Sequence, residues 1–141
     1  MIVLDTSGLL AALDKSEARH VAAVSALKAA PPPRLLSPFV LAELDYLLSE
    51  RVARTSARAL LNEISAGAYQ LEPFTSDDVA AAIRVQDRYA NIALGLADAS
   101  VVVLADRHQT IDILTLDERH FRSLRDAGGR RFRLLPADLA A

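Results

Sequence analysis

The 141-residue sequence contains no cysteine, which excludes a disulfide framework, a thiolate metal site and a cysteine nucleophile together. Aromatic residues make up only 5% of the chain against 52% hydrophobic residues in all. The core is therefore expected to come from aliphatic helices packed closely through small side chains. No apolar stretch is long and charge-free enough for a membrane span, and the opening Met1-Ile2-Val3-Leu4-Asp5 lacks the basic start and apolar core of a signal peptide. The expectation from these absences is a cytoplasmic protein with no membrane contact. An excess of one charge is lacking as well. With 16 Lys+Arg against 18 Asp+Glu the net charge is -2, which does not by itself mark a nucleic-acid binder. Lysine is confined to Lys15 and Lys28, while Arg107, Arg119, Arg122, Arg125, Arg130, Arg131 and Arg133 crowd the last third. That local excess suits either phosphate contacts or a solvated surface.

What is present alternates between two periodicities. Ile2-Val3-Leu4 reads as a buried strand that stops in a capped turn at Asp5-Thr6-Ser7-Gly8. Helical spacing runs from Ser16 to Ala30 and ends at Pro31-Pro32-Pro33. Leu35 to Ser37 is the next strand, and Pro38 opens a helix that continues from Phe39 to Arg51. A helix is expected over Thr55 to Ala66, a strand over Tyr69 to Phe74, and a helix from the Thr75-Ser76-Asp77-Asp78 cap to about Tyr89. Leu96 to Arg107 is apolar nearly all round, as a central helix would be, and Ile111 to Thr115 and Phe132 to Leu135 complete the strands. Strands alternating with helices imply an α/β fold with a mostly parallel sheet, because parallel neighbours need crossover connections. No repeat or long linker divides the chain, so residues 1–141 are expected to form a single domain.

Open α/β sheets bind ligands beyond the carboxyl ends of their strands, which gives weight to the acids placed there. Asp5 ends the first strand, Asp117 follows the strand at 111–115, and Asp98 lies in the first turn of the central helix. Glu43 lies one turn into the helix after the second strand. Each has a bland explanation, namely helix capping for Asp5 and Asp117, a helix terminus for Asp98 and an exposed helical carboxylate for Glu43. Their conjunction is less bland. Gathered together they would repel by about 4 kcal/mol per pair at 4 Å with an effective dielectric near 20. A cation must offset that, and with no cysteine and only scattered His20, His108 and His120 an all-oxygen site suits Mg2+ or Mn2+ better than zinc. Such an ion could orient a phosphodiester, activate water and stabilise a leaving oxygen.

At these residues the sequence resembles the PIN-domain family, more narrowly its VapC-type toxins. Ile2-Val3-Leu4-Asp5-Thr6-Ser7 is similar to the family's opening strand and first acid, and Ser37-Pro38 leading to Ala42-Glu43-Leu44 to its second motif. Leu96-Ala97-Asp98-Ala99 resembles the third, and Ile113-Leu114-Thr115-Leu116-Asp117 with Arg119-His120-Phe121 the fourth. The resemblance covers nearly the whole chain. It implies a three-layer α/β/α fold with about five strands, and Mg2+- or Mn2+-dependent endoribonuclease activity as the toxin of a toxin-antitoxin pair. It also implies a homodimer and inhibition by a VapB-type antitoxin. Asp5, Glu43, Asp98 and Asp117 would then be the catalytic, metal-holding acids, with Thr6, Ser7 and Thr115 supporting them. His120 is expected to be a packed or surface histidine.

Two enzymatic or signalling rivals are weaker. A phosphatase with an aspartate nucleophile needs a second Asp two residues after the first, where this chain has Ser7. A response-regulator receiver would want a lysine after its last strand, and both lysines here are early. A PIN-like scaffold that binds RNA or protein without cutting remains the alternative. The apolar residues around Tyr46 to Leu48 and Leu60 to Ile64 are expected either to form a dimer or antitoxin surface or to pack in the core.

Overall fold

Ile2, Val3 and Leu4 are all 0% exposed. Successive strand side chains point to opposite faces, so both faces of this strand must be covered. The computed structural model, which describes residues 1–140, covers them with helices on either side of a five-stranded parallel sheet. The strands are β1 (Ile2–Leu4), β2 (Arg34–Leu36), β3 (Gln70–Leu71), β4 (Asp112–Leu114) and β5 (Arg133–Leu135), in the order β3-β2-β1-β4-β5. The expected sheet is thus parallel throughout. The helices are α1 (Thr6–Leu13), α2 (His20–Ala29), α3 (Pro38–Arg51), α4 (Arg54–Ser65), α5 (Ser76–Arg88), α6 (Leu96–His108) and α7 (Glu118–Phe121). They pack as α1 on α2, α3 on α4 and α5 on α6, with α3 also against α1 and α6.

Several boundaries differ from the sequence expectation for identifiable reasons. The turn expected at Asp5 to Gly8 is instead the start of α1, which the pattern hides because Leu9, Leu10, Ala11 and Ala12 are all buried and give no polar face. Gly8 lets this helix lie against the sheet, since a Cβ there would fall 2.3 Å from the carbonyl oxygen of Leu114. Helix α2 begins at His20 rather than Ser16, because the Asp14 carboxylate takes both the amide and the hydroxyl of Ser16 and holds a turn there. The strand expected over 69–74 is only two residues long. The amide of Glu72 still reaches Leu36 O at 2.9 Å, but Pro73 has no amide to continue the ladder. Ser37, placed at the end of a strand in the sequence reading, caps α3 by accepting from the amide of Phe39, and it contacts the equally buried Ser100 of α6 at 2.6 Å. Ser100 gives its own proton to Ala97 O, so Ser37 is the donor in that pair. The Thr75–Asp78 capping box forms as expected.

The main core joins Leu4, Leu9, Leu35, Leu44, Leu48, Leu60, Leu104, Ile113 and Phe121. Leu60 and Leu48 are therefore core residues, and Ile64 packs against them, so the apolar run at 60–64 is not a free surface. In the neighbouring stretch Tyr46 alone stands out, 64% exposed. No helix among the described residues is long and apolar enough to cross a membrane.

Candidate metal-binding active site

Strand order places β2 on one side of β1 and β4 on the other. The chain runs from β1 through β2 to β3 on one side and then crosses back to β4 and β5 on the other, and the crevice at such a switch point is where α/β sheets bind ligands. Asp5 is the residue that follows β1 into this crevice. It is 3% exposed, and although it occupies the cap position of α1 its side chain makes no capping bond. Its Oδ2 instead accepts two hydroxyl protons, from Thr115 Oγ1 at 2.7 Å and Ser7 Oγ at 3.0 Å. The two hydroxyls also lie 3.1 Å apart, yet each accepts an amide of the loop after β4, Asp117 N to Thr115 and Leu116 N to Ser7. Both protons are thereby committed to Asp5. Ser7 and Thr115 together clamp one carboxylate oxygen of Asp5 and tie it to the exit of β4.

Thr6 does the same for a different acid, donating to Glu43 Oε1 at 2.6 Å and so linking α1 to α3. Asp98 stands in the first turn of α6, where the helix dipole favours a carboxylate. Asp117 caps the short helix α7 by accepting from the amide of His120 through Oδ1. Its Oδ2 lies 3.0 Å from His120 Nδ1, which is 3.6 Å from Asp98 Oδ2. That buried nitrogen is near both carboxylates but aligned for a hydrogen bond with neither. One donor atom from each of Asp98, Asp117 and His120 falls within 4.8 Å of the others. His120, expected to be a packed or surface histidine, is half-buried and packs beside the acids Asp98 and Asp117. The signal available in the sequence was its position three residues after Asp117, which becomes a shared helix face only once α7 is known to exist.

The four acids act on one another electrically. Burial pushes the Asp5 carboxyl up to about 6, opposed by the Thr115 hydroxyl and reinforced by the charge of Asp98. Burial also raises Asp98, with Asp117 and then Glu43 adding repulsion and His120 opposing it. Buried carboxylates such as Asp5 and Asp98, raised by burial and by neighbouring acids, are expected where a cation belongs. The donor set of oxygens and one imidazole, with half of Asp5 already saturated by hydroxyls, fits a divalent ion held at the crevice.

The arginine-rich last third is mostly occupied. Arg107 pairs with Glu72 and Asp78, Arg122 with Glu118 and Asp138, Arg130 with Asp126 and Arg133 with Asp112. Arg125 donates to the carbonyls of Arg122 and Leu124. His108 also contacts Glu72. Arg119, exposed and between Asp117 and His120, makes no ion pair among the described residues.

A model of the PIN domain matches residues 2–127. Ribonuclease VapC26 of Mycobacterium tuberculosis is 42% identical over 135 residues, which is 96% of this chain and 100% of that relative. The chain belongs to the PIN-domain family. Among solved structures, this PIN domain matches one described as Mycobacterium tuberculosis VapC20, a Sarcin-Ricin loop cleaving toxin. The TM-score is 0.78 at 23% identity, with 84% of this chain and 91% of the other covered. It also matches a toxin-antitoxin complex from Klebsiella pneumoniae with a TM-score of 0.68 at 18% identity, covering 88% and 92%. At those identities the structural matches establish the fold, and they agree with the three-layer PIN architecture built above from burial and strand order.

Proposed function

We propose that this PIN domain is a metal-dependent endoribonuclease that acts as the toxin of a toxin-antitoxin pair. The reading rests on one observation above the rest: donor atoms of Asp98, Asp117 and His120 lie within 4.8 Å of one another, beside the crevice that the buried Asp5 enters from β1. The relative's name, a ribonuclease of the VapC type, supplies the substrate class. Asp98, Asp117 and His120, with Asp5 and Glu43 beside them, would hold Mg2+ or Mn2+. Such an ion supplies a Lewis acid for a phosphate oxygen and polarises the attacking water. Thr6, Ser7 and Thr115 fix the carboxylates so that they need not reorganise when the phosphodiester arrives. The attack forms a new bond from water oxygen to phosphorus and breaks the bond to the leaving oxygen, which takes up a proton in place of the one the water loses. A VapB-type antitoxin partner, a homodimer and a cytoplasmic location belong to the same reading.

Purified protein with RNA and Mg2+ or Mn2+ is expected to cut, and EDTA or Asp98→Asn is expected to stop it. Cleavage unchanged by EDTA, or RNA bound but never cut at saturating metal, overturns the nuclease and leaves the non-catalytic scaffold. Retained cleavage at saturating antitoxin overturns the pairing.

An acidic crevice on a protein of net charge -2 must find its polyanion through local cations. Arg119, exposed beside Asp117 and without a carboxylate partner among the described residues, is placed to take a phosphate. Arg119→Ala is expected to raise KM for RNA several-fold with kcat little changed, and to lower the slope of log affinity against log salt by about one. An unchanged salt slope rules the contact out.

A further inference from the structure

Tyr46 is the only exposed aromatic side chain among the described residues, at 64%. The other aromatic rings are buried or half-buried, Phe39 and Phe74 against each other edge to face. Tyr46 follows Glu43 by three positions on α3, a spacing that puts the two side chains on one face about 5–6 Å apart at Cβ. Ala42, Glu43, Tyr46 and Leu47 together line a concavity of about 360 Å³. Its walls are therefore two apolar side chains, one aromatic ring and one of the four acids of the crevice.

We propose that Tyr46 is a stacking platform for a nucleobase of the RNA, one that flanks the phosphodiester at the acidic crevice. The proposal rests on the ribonuclease reading and deepens it. A phosphate held beside Glu43 carries its neighbouring nucleoside within reach of a ring one helical turn away, and an unpaired base offers a flat apolar face that Ala42 and Leu47 can floor. Stacking also supplies affinity that charge cannot supply at an acidic site, and it tolerates any base because every base has a π-face. A protein partner is the less favoured occupant. Among the described residues, none of the other large exposed apolar side chains lies on this face of α3: Val52 is the C-cap beyond its end, and Met1, Val21, Leu71, Val79, Ile83, Leu96 and Leu139 stand elsewhere in the chain. A stable protein interface needs roughly 800 Å² from each partner.

The chain has no tryptophan, so fluorescence of 2-aminopurine placed at successive positions of a single-stranded oligoribonucleotide reports the base environment cleanly. On stopped-flow mixing with Mg2+, before turnover, wild-type protein is expected to quench one position more than the rest. Tyr46→Ala is expected to lose that quenching and weaken binding about tenfold, while Tyr46→Phe and Tyr46→Trp retain both. The platform is overturned if no position is quenched, if Tyr46→Ala behaves as wild type, or if Tyr46→Ala acts by changing the sedimentation mass, which would mean a second chain covers the ring. Position-specific quenching without any cleavage would keep the platform and reject the nuclease, so the two readings fail separately.

Discussion

Asp5→Asn is expected to abolish metal-dependent cleavage and, in the same protein, to increase stability at neutral pH when divalent cations are absent. The loss follows from replacing a buried carboxylate with a neutral amide at the centre of the acidic crevice. Removing partners that only support metal ligands already costs 10–100-fold, so a loss of at least about a hundredfold is expected here. The gain in stability follows from the raised carboxyl. Its usual value near 3.8 in the unfolded chain becomes about 6 in the fold, so the folded state binds the proton more tightly. Below the unfolded value both states are protonated and nothing is lost. Between the two values the unfolded chain has released its proton and the folded one has not, so stability falls as pH rises, and above 6 the full cost is in place. Two units correspond to about 3 kcal/mol. The asparagine oxygen can still accept the hydroxyls of Ser7 and Thr115, so the clamp survives. Urea unfolding in EDTA at pH 4.5 and 7.5 checks both signs: the wild type should lose stability between them and Asp5→Asn should lose much less. Adding Mg2+ at pH 7.5 should restore the wild type by mass action. A variant less stable than wild type at both pH values would refute the account.

Gly8→Ala is expected to be among the most damaging single-methyl changes in the chain. The added Cβ would sit 2.3 Å from Leu114 O, 2.5 Å from Leu114 C and 2.7 Å from Thr115 N, all backbone atoms of β4 or its exit. No side chain can rotate away. Either α1 lifts from the sheet or β4 shifts from β1, where Asp5 N donates to Leu114 O at 3.0 Å. Overpacking of a tight core costs about 1–3 kcal/mol, and a clash with fixed backbone belongs at or above the upper end. Because the displaced atoms border Thr115, which clamps Asp5, cleavage should fall even in the fraction that stays folded. Thermal unfolding and specific activity measured on one preparation check this, and a variant with wild-type Tm would show that helix and strand can part without cost.

The acids were legible because a strand that ends in a carboxylate can be read from a few residues, as at Ile2 to Asp5 and Ile113 to Asp117. Their placement at one crevice followed from parallel order. What escaped was structure without periodicity. Helix α1 is buried on so many sides that Leu9 to Ala12 show no polar stripe, and α7 is too short to show one. Missing α7 meant missing the placement of His120, which depends on the turn that carries it back over Asp117. The capping explanation for Asp117 was also correct as far as it went: one oxygen caps, and the other faces the cluster. The arginines show the opposite limit. Their excess was plain in the sequence, but only the fold tells that Arg107, Arg122, Arg130 and Arg133 are spent on neighbouring carboxylates while, among the described residues, Arg119 and Arg131 are not.

The hydroxyl clamp on Asp5 joins residues 110 positions apart, and β4 must insert beside β1 before it can close. During synthesis Asp5 emerges 110 positions ahead of the hydroxyl that clamps it. A ribosome-bound fragment that stops before Thr115 has neither the clamp nor Asp117 and His120, so it carries no competent site. The crevice therefore cannot assemble from the N-terminal half alone, and closure of the clamp reports that β4 has docked beside β1.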